Sequence, residues 1–142
     1  MGTTPAKLGK FVITRELGKG TTGTVYLCHD SFQSKDVALK LYTIDGNVPE
    51  NEVRTRRRLF FNEAYLVGKM VHPNILPIYD AGEEGGHCYV VMEYVRGAKP
   101  LTTFCQDQNL LPVRKVVEVV FKCAKALDYA HQIGRASCRG RV

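Results

Sequence analysis

Three closely spaced runs of alternating apolar and polar residues, one long amphipathic stretch, and two further runs about a glycine turn predict an α+β fold. The sheet has five antiparallel strands, one helix is inserted after the third, and helical segments follow the fifth. With 142 residues the chain is one domain or a piece of a larger one. Its 44% hydrophobic and 24% charged residues, with 13 Gly and 6 Pro, are those of a globular chain and exclude disordered or collagen-like classes. No apolar run approaches the roughly 20 residues that span a bilayer, and the amino terminus lacks a signal-peptide core, so a cytoplasmic protein without a membrane segment is expected.

Phe11–Gly18 alternates and ends in glycines, and Thr24–Asp30 resumes with β-branched and aromatic residues, which makes a hairpin with a glycine-rich turn. Asp36–Tyr42 is the third strand, after the turn-like Ser31–Lys35. Thr43–Asn51, with Asp45, Gly46, Asn47 and Pro49, is a loop into a helix over Glu52–Met70, where Leu59, Phe60, Leu66, Val67 and Met70 recur at helical spacing. His72-Pro73-Asn74 ends that helix. Ile75–Tyr79 and His87–Met92 are the last two strands, about a turn at Gly82–Gly86, and Gly97–Pro100 is a connector. Leu101–Gln106 makes one or two helical turns. Pro112 opens a strong helix to about His131, with Val116, Val119, Val120, Cys123, Leu127 and Ala130 along one face.

Gly18-Lys19-Gly20-Thr21-Thr22-Gly23 has the G-x-G-x-x-G spacing, in which missing side chains let backbone N–H groups approach phosphate oxygens. Alone it is also what a flexible hairpin turn looks like. A dinucleotide fold needs a helix next, but Thr24-Val25-Tyr26-Leu27 is strand sequence. A triphosphatase loop needs Lys and Ser or Thr after the last glycine, and Thr24 follows instead. Val25 completes G-x-G-x-x-G-x-V, and Val37-Ala38-Leu39-Lys40 matches V-A-I-K, so the chain resembles the protein kinase family. Glu63 stands at the family's helix glutamate, His72-Pro73-Asn74 follows it, and Val91-Met92-Glu93-Tyr94-Val95 looks like the strand and hinge between the lobes. Leu127-Asp128-Tyr129-Ala130-His131 looks like the helix before the catalytic loop; the match runs from about Phe11 to Gln132 and has a bacterial serine/threonine flavour.

The resemblance implies an amino-terminal lobe over residues 1–92, a hinge over 93–100, and the first helices of an incomplete carboxyl-terminal lobe over 101–132. It implies ATP as cofactor, with Lys40 on the α- and β-phosphates and Glu63 holding Lys40 by an ion pair. Leu17, Gly18, Gly20, Thr21, Gly23, Val25, Ala38, Met92, Glu93 and Val95 complete the implied nucleotide site; Met92 lies at its back, and backbone groups of Glu93 and Val95 bind the base. Val25, Ala38 and Met92 are equally what a sheet would bury. Val67 and Ile78 fall where helix and sheet stack in active members.

The H-R-D and D-F-G motifs are absent; carried on from His131, the H-R-D positions hold Ser137, Cys138 and Arg139. Residues 133–142 follow no family pattern and resemble translated sequencing adapter, so they are expected to be foreign to the fold. The expectation is a kinase piece inactive alone, with magnesium and protein substrates engaged only by the full-length parent. A non-catalytic nucleotide-binding or scaffolding lobe is the alternative. Five cysteines at scattered spacings suggest neither zinc nor disulfides, and no metal site is expected in this chain. Arg135, Arg139 and Arg141 supply half of the net charge of +6, and Arg54 with Arg56–Arg58 is read as a solvated helix face rather than a nucleic-acid surface.

Overall fold

The computed structural model describes residues 6–42 and 49–139, with side chains through residue 134. Most of the expected loop 43–51, and residues 140–142 of the expected foreign tail, lie outside that range. Six strands form one sheet: β1 Lys7–Leu8, β2 Phe11–Gly20, β3 Gly23–Asp30, β4 Lys35–Tyr42, β5 Ile78–Glu84 and β6 His87–Glu93. Their order is β1-β2-β3-β4-β6-β5, and every neighbouring pair is antiparallel. The helices are α1, Glu50–Gly68, and α2, Val113–Arg139, with short 3-10 turns at Leu101–Phe104 and Asp107–Asn109.

The five expected strands are present, with two corrections. A sixth, β1, is too short to show periodicity; it folds back through Gly9, which has a positive φ of 54°. The fourth expected strand starts later, at Ile78, because Pro77 has no N–H to give a ladder; its carbonyl accepts the Glu93 N–H at 3.1 Å. It then runs through Gly82, read in sequence as the start of a turn. Gly82 is there for space: a Cβ would stand 2.5 Å from the Tyr89 hydroxyl on its partner strand. The turn itself is Gly85-Gly86, both at positive φ, as a tight hairpin requires.

Alternation sorts the sheet into two faces. Tyr26, Cys28, Val37, Leu39, Tyr89 and Val91, with Leu8 and Phe11, form the buried core on one of them. Asp30 is buried at the end of β3, where it accepts N–H groups of Phe32 and Gln33 at 2.8 and 3.0 Å and pairs with Lys10 at 3.0 Å. Burial would raise its carboxyl, but those three partners hold it below its ordinary value and pin the β3–β4 turn.

Helix α1 begins after Pro49, with Glu50 and Glu52 in its first turn, two residues earlier than the periodicity suggests. It lies against β5 and β6, and of its apolar residues only Ala64 is fully buried. Arg54 and Arg56 pair with Glu50 and Glu52 one turn back, and Arg57 with Glu83 of β5, so three of the run's four arginines are met by carboxylates.

The chain forms two compact units, Met1–Lys69 with Pro77–Tyr94 and Met70–Leu76 with Val95–Val142. Within the second, the His72 ring lies 5.2 Å from the Tyr129 ring of α2, whose hydroxyl accepts the Val71 N–H at 3.0 Å. Helix α2 does not stop near His131 but continues to Arg139, through the positions where the family's catalytic loop was sought. It buries Ala126, while Val116, Val120, Cys123 and Leu127 of the expected apolar face are exposed and Val119 and Ala130 half-buried.

Candidate functional site

The glycine loop closes the β2–β3 hairpin, with Gly20 paired to Gly23. Its glycines answer different demands. Gly23 has φ +151°, and a Cβ there would lie 2.0 Å from the Leu41 carbonyl oxygen of β4, so the fold itself requires glycine. At Gly18 a Cβ would meet nothing within 4 Å, and at Gly20 only the Gly23 carbonyl at 3.9 Å. Neither has a backbone conformation or a neighbour that excludes a side chain. What those two positions leave is bare, solvent-open backbone, which is what close approach of a phosphate needs. Thr21 and Thr22 at the tip are exposed, and Leu17 is half-buried.

Register carries the loop to the lysine. Gly18 pairs with Val25, Val25 with Lys40 and Lys40 with Val90, so these four form one row across β2, β3, β4 and β6. A second row on the same face runs Leu27, Ala38, Met92 and Ile78. Ala38 is buried; Val25, Lys40, Met92 and Ile78 are half-buried. A floor of small and flexible apolar side chains therefore adjoins one cation and an open glycine backbone. Glu93 ends β6 opposite Val37, and Val95 begins the second unit with its carbonyl accepting the Ala98 N–H at 3.2 Å.

Lys40 and Glu63 are not joined by an ion pair in the described structure. The Lys40 ammonium lies 4.9 Å from the centre of the Tyr42 ring instead. Tyr42 packs edge-on against Phe60 of α1 at 5.0 Å, and Phe60 against Phe61 at 5.1 Å. Burial and the Glu63 charge both raise the Tyr42 hydroxyl above its ordinary value. Tyr42 is the residue that motif reasoning passed over, although its two-residue offset from Lys40 on a strand puts both on one face. Val67 is half-buried on α1. A separate groove of about 510 Å³, with Ala64 of α1 and Ile78 of β5 among its lining, includes neither the glycine loop nor Lys40.

The family model of the protein kinase domain matches residues 11–135. The chain belongs to the protein kinase family. Among curated relatives it is 33% identical over 124 residues to serine/threonine-protein kinase PrkC of Bacillus subtilis, covering 87% of this chain and 18% of that protein. It is 34% identical to serine/threonine-protein kinase PknF of Mycobacterium tuberculosis, covering 86% of this chain and 25% of that protein. Among solved structures, the Mycobacterium tuberculosis PknI kinase domain superposes with a TM-score of 0.74 at 31% identity, covering 90% of this chain and 50% of that one. The chain thus spans a fifth to a quarter of those relatives and about half of that kinase domain. Its relatives are bacterial serine/threonine kinases, and its antiparallel sheet with α1 is the amino-terminal lobe of that fold. Among the described residues no helix is long and apolar enough to cross a membrane.

Proposed function

We propose that this chain is the ATP-binding part of a serine/threonine protein kinase, in which the glycine loop and Lys40 hold the phosphates of ATP. The observation that carries the reading is the row from Gly18 through Val25 to Lys40, with open backbone at one end and an ammonium at the other. When bound, ATP supplies the γ-phosphoryl group for transfer to a serine or threonine hydroxyl. Phosphate oxygens carry the charge that must be neutralised, so the protein's task here is positioning and electrostatic clamping. Lys40 would take the α- and β-phosphates as a point charge, N–H groups of Gly20–Gly23 would cover them, and Glu63 would orient Lys40. Val25, Ala38 and Met92 would pack on the base, with backbone groups of Glu93 and Val95 bonding its edge.

The aspartates and asparagine that would supply a base and hold magnesium belong to H-R-D and D-F-G motifs, which these 142 residues do not contain. On this reading the polypeptide alone transfers no phosphate, and a cytoplasmic parent carrying those loops does so with protein substrates. The second reading is a non-catalytic nucleotide-binding lobe, which would use the same glycine loop and Lys40. Genomic sequence beyond Gln132 separates the two. In an intact parent, Lys40→Met is expected to lower kcat/KM by orders of magnitude and leave thermal unfolding nearly unchanged, since the aliphatic stem is kept. Undiminished phosphoryl transfer in that variant would remove Lys40 from the site.

A further inference from the structure

Lys40 and Tyr42 share one face of β4, and the ammonium lies 4.9 Å from the ring centre, within the range of a cation–π contact. The ring is itself fixed, packed edge-on at 5.0 Å against Phe60. Phe60 precedes Glu63 by three residues on α1, so both belong to one side of the helix. Strand and helix are therefore tied by aromatic packing at the place where an ionic tie is expected, and no ion pair joins Lys40 to Glu63 among the described residues. Burial and the Glu63 charge both raise the Tyr42 hydroxyl above its ordinary value.

We propose that Tyr42 is a positioning residue whose ring seats the Lys40 ammonium and holds it off Glu63, leaving the phosphate clamp open at rest. The inference rests on the reading of Lys40 as the phosphate ligand. Seated on the ring, Lys40 is outside its clamping geometry, and only the fraction of chains with Lys40 released binds phosphate at full strength. Nucleotide draws the lysine off the ring because two phosphates outbid a neutral quadrupole for an ammonium. Phenylalanine at 42 keeps the ring face and so the seat, whereas leucine keeps apolar packing against Phe60 but offers no quadrupole.

The test uses the 142-residue chain, with Val117→Lys and Phe121→Lys on the exposed face of α2 to keep it dispersed, in three versions: Tyr42, Tyr42→Phe and Tyr42→Leu. Two readouts are taken, ATP affinity by ligand-observed NMR and the ε-methylene resonance of 13C-labelled Lys40, assigned by its loss in Lys40→Arg. The expected result is an upfield, ring-shifted Lys40 signal with Tyr or Phe at 42 that moves to an ordinary lysine position in Tyr42→Leu. ATP affinity should rise about 2- to 5-fold in Tyr42→Leu alone, and Glu63→Gln should cancel that gain. An ordinary Lys40 resonance in the Tyr42 chain, or a Tyr42→Leu affinity equal to or below that of Tyr42→Phe, overturns the proposal. If no version binds ATP, the nucleotide reading fails instead. The lysine resonance then decides alone whether Tyr42 seats Lys40.

Discussion

At the scale of single residues, the glycines separate folding from function more sharply than any other type here. Gly23 is held by geometry: an added methyl would meet the Leu41 carbonyl oxygen at 2.0 Å, a backbone atom that cannot step aside without distorting β4. Gly23→Ala is expected to cost about 2–4 kcal/mol, seen as a lower denaturant midpoint. Gly18→Ala faces open space and should leave stability within about 0.5 kcal/mol while weakening ATP binding, because its methyl occupies only the volume a phosphate would use. Equal destabilisation by the two substitutions would mean that the loop glycines serve the turn alone. Gly82 is held by side-chain rather than backbone geometry, since what an added methyl would meet is the Tyr89 ring, itself packed in the core. The free thiol of Cys28 contributes only bulk to the core, as burial pushes it up to about 11 and leaves no thiolate at neutral pH.

At the scale of elements, α2 carries a small acid-sensitive device. Glu118 is hydrogen-bonded by Lys115 at 2.8 Å and Lys122 at 2.6 Å, and these bonds, reinforced by the two charges, hold its carboxyl down to about 2 from the usual 4.5. A carboxyl depressed in the folded state stabilises the fold above its ordinary value and loses that contribution as pH falls through the depressed one. Helicity by far-UV circular dichroism should thus decline between about pH 4.5 and 2, and Glu118→Gln should flatten that part of the curve. An unchanged curve would show that the pair does not support the helix. The same elements show what the amino-acid order reveals of the fold. β2, β3, β4 and β6 were legible because period-two alternation has one physical cause, a half-buried sheet face. β5 was misplaced because Pro77 and Gly82 are local signals whose meaning depends on partners: a missing donor at the strand start, and a ring lying over the backbone. The continuation of α2 past His131 went unread because family register, not periodicity, set the expected stop. Of the site, the motif residues were visible in order along the chain, and sheet register assembles Gly18, Val25, Lys40, Ala38 and Met92 on one face. The seat of Lys40 was only half visible: the two-residue offset puts Tyr42 on its face of β4, but the packing of that ring against Phe60 of α1 is a tertiary contact that no spacing encodes.

At the scale of the whole molecule, the two units are unequally provided with core. The first encloses a contiguous cluster from Leu8 to Val91. The second is built on α2, which buries Ala126 and bonds the Val71 segment through Tyr129, and that side of the helix is satisfied. Its opposite side is not. Val113, Val117, Val120, Phe121 and Leu127 recur at helical spacing on one face, and each is at least 60% exposed. Fully burying a side chain of this kind is worth about 1.5–3 kcal/mol, so a continuous stripe of five is a strong drive for the chain to cover itself with a second copy. The ion pairs of Glu118 with Lys115 and Lys122 fall on the other side of the helix and do not interrupt this stripe. The 142-residue chain is therefore expected to sediment as concentration-dependent oligomers. Val117→Lys with Phe121→Lys should return it to a monomer while leaving unfolding of the sheet unchanged, because both positions are remote in sequence from every strand. The added charges act only where the stripe would be desolvated, as two ammonium groups cannot be buried without partners. Sedimentation velocity across a hundredfold concentration range checks this directly. A single monomeric species throughout would mean that the stripe on α2 is tolerated by water, and that the second unit is held by something other than the burial it lacks.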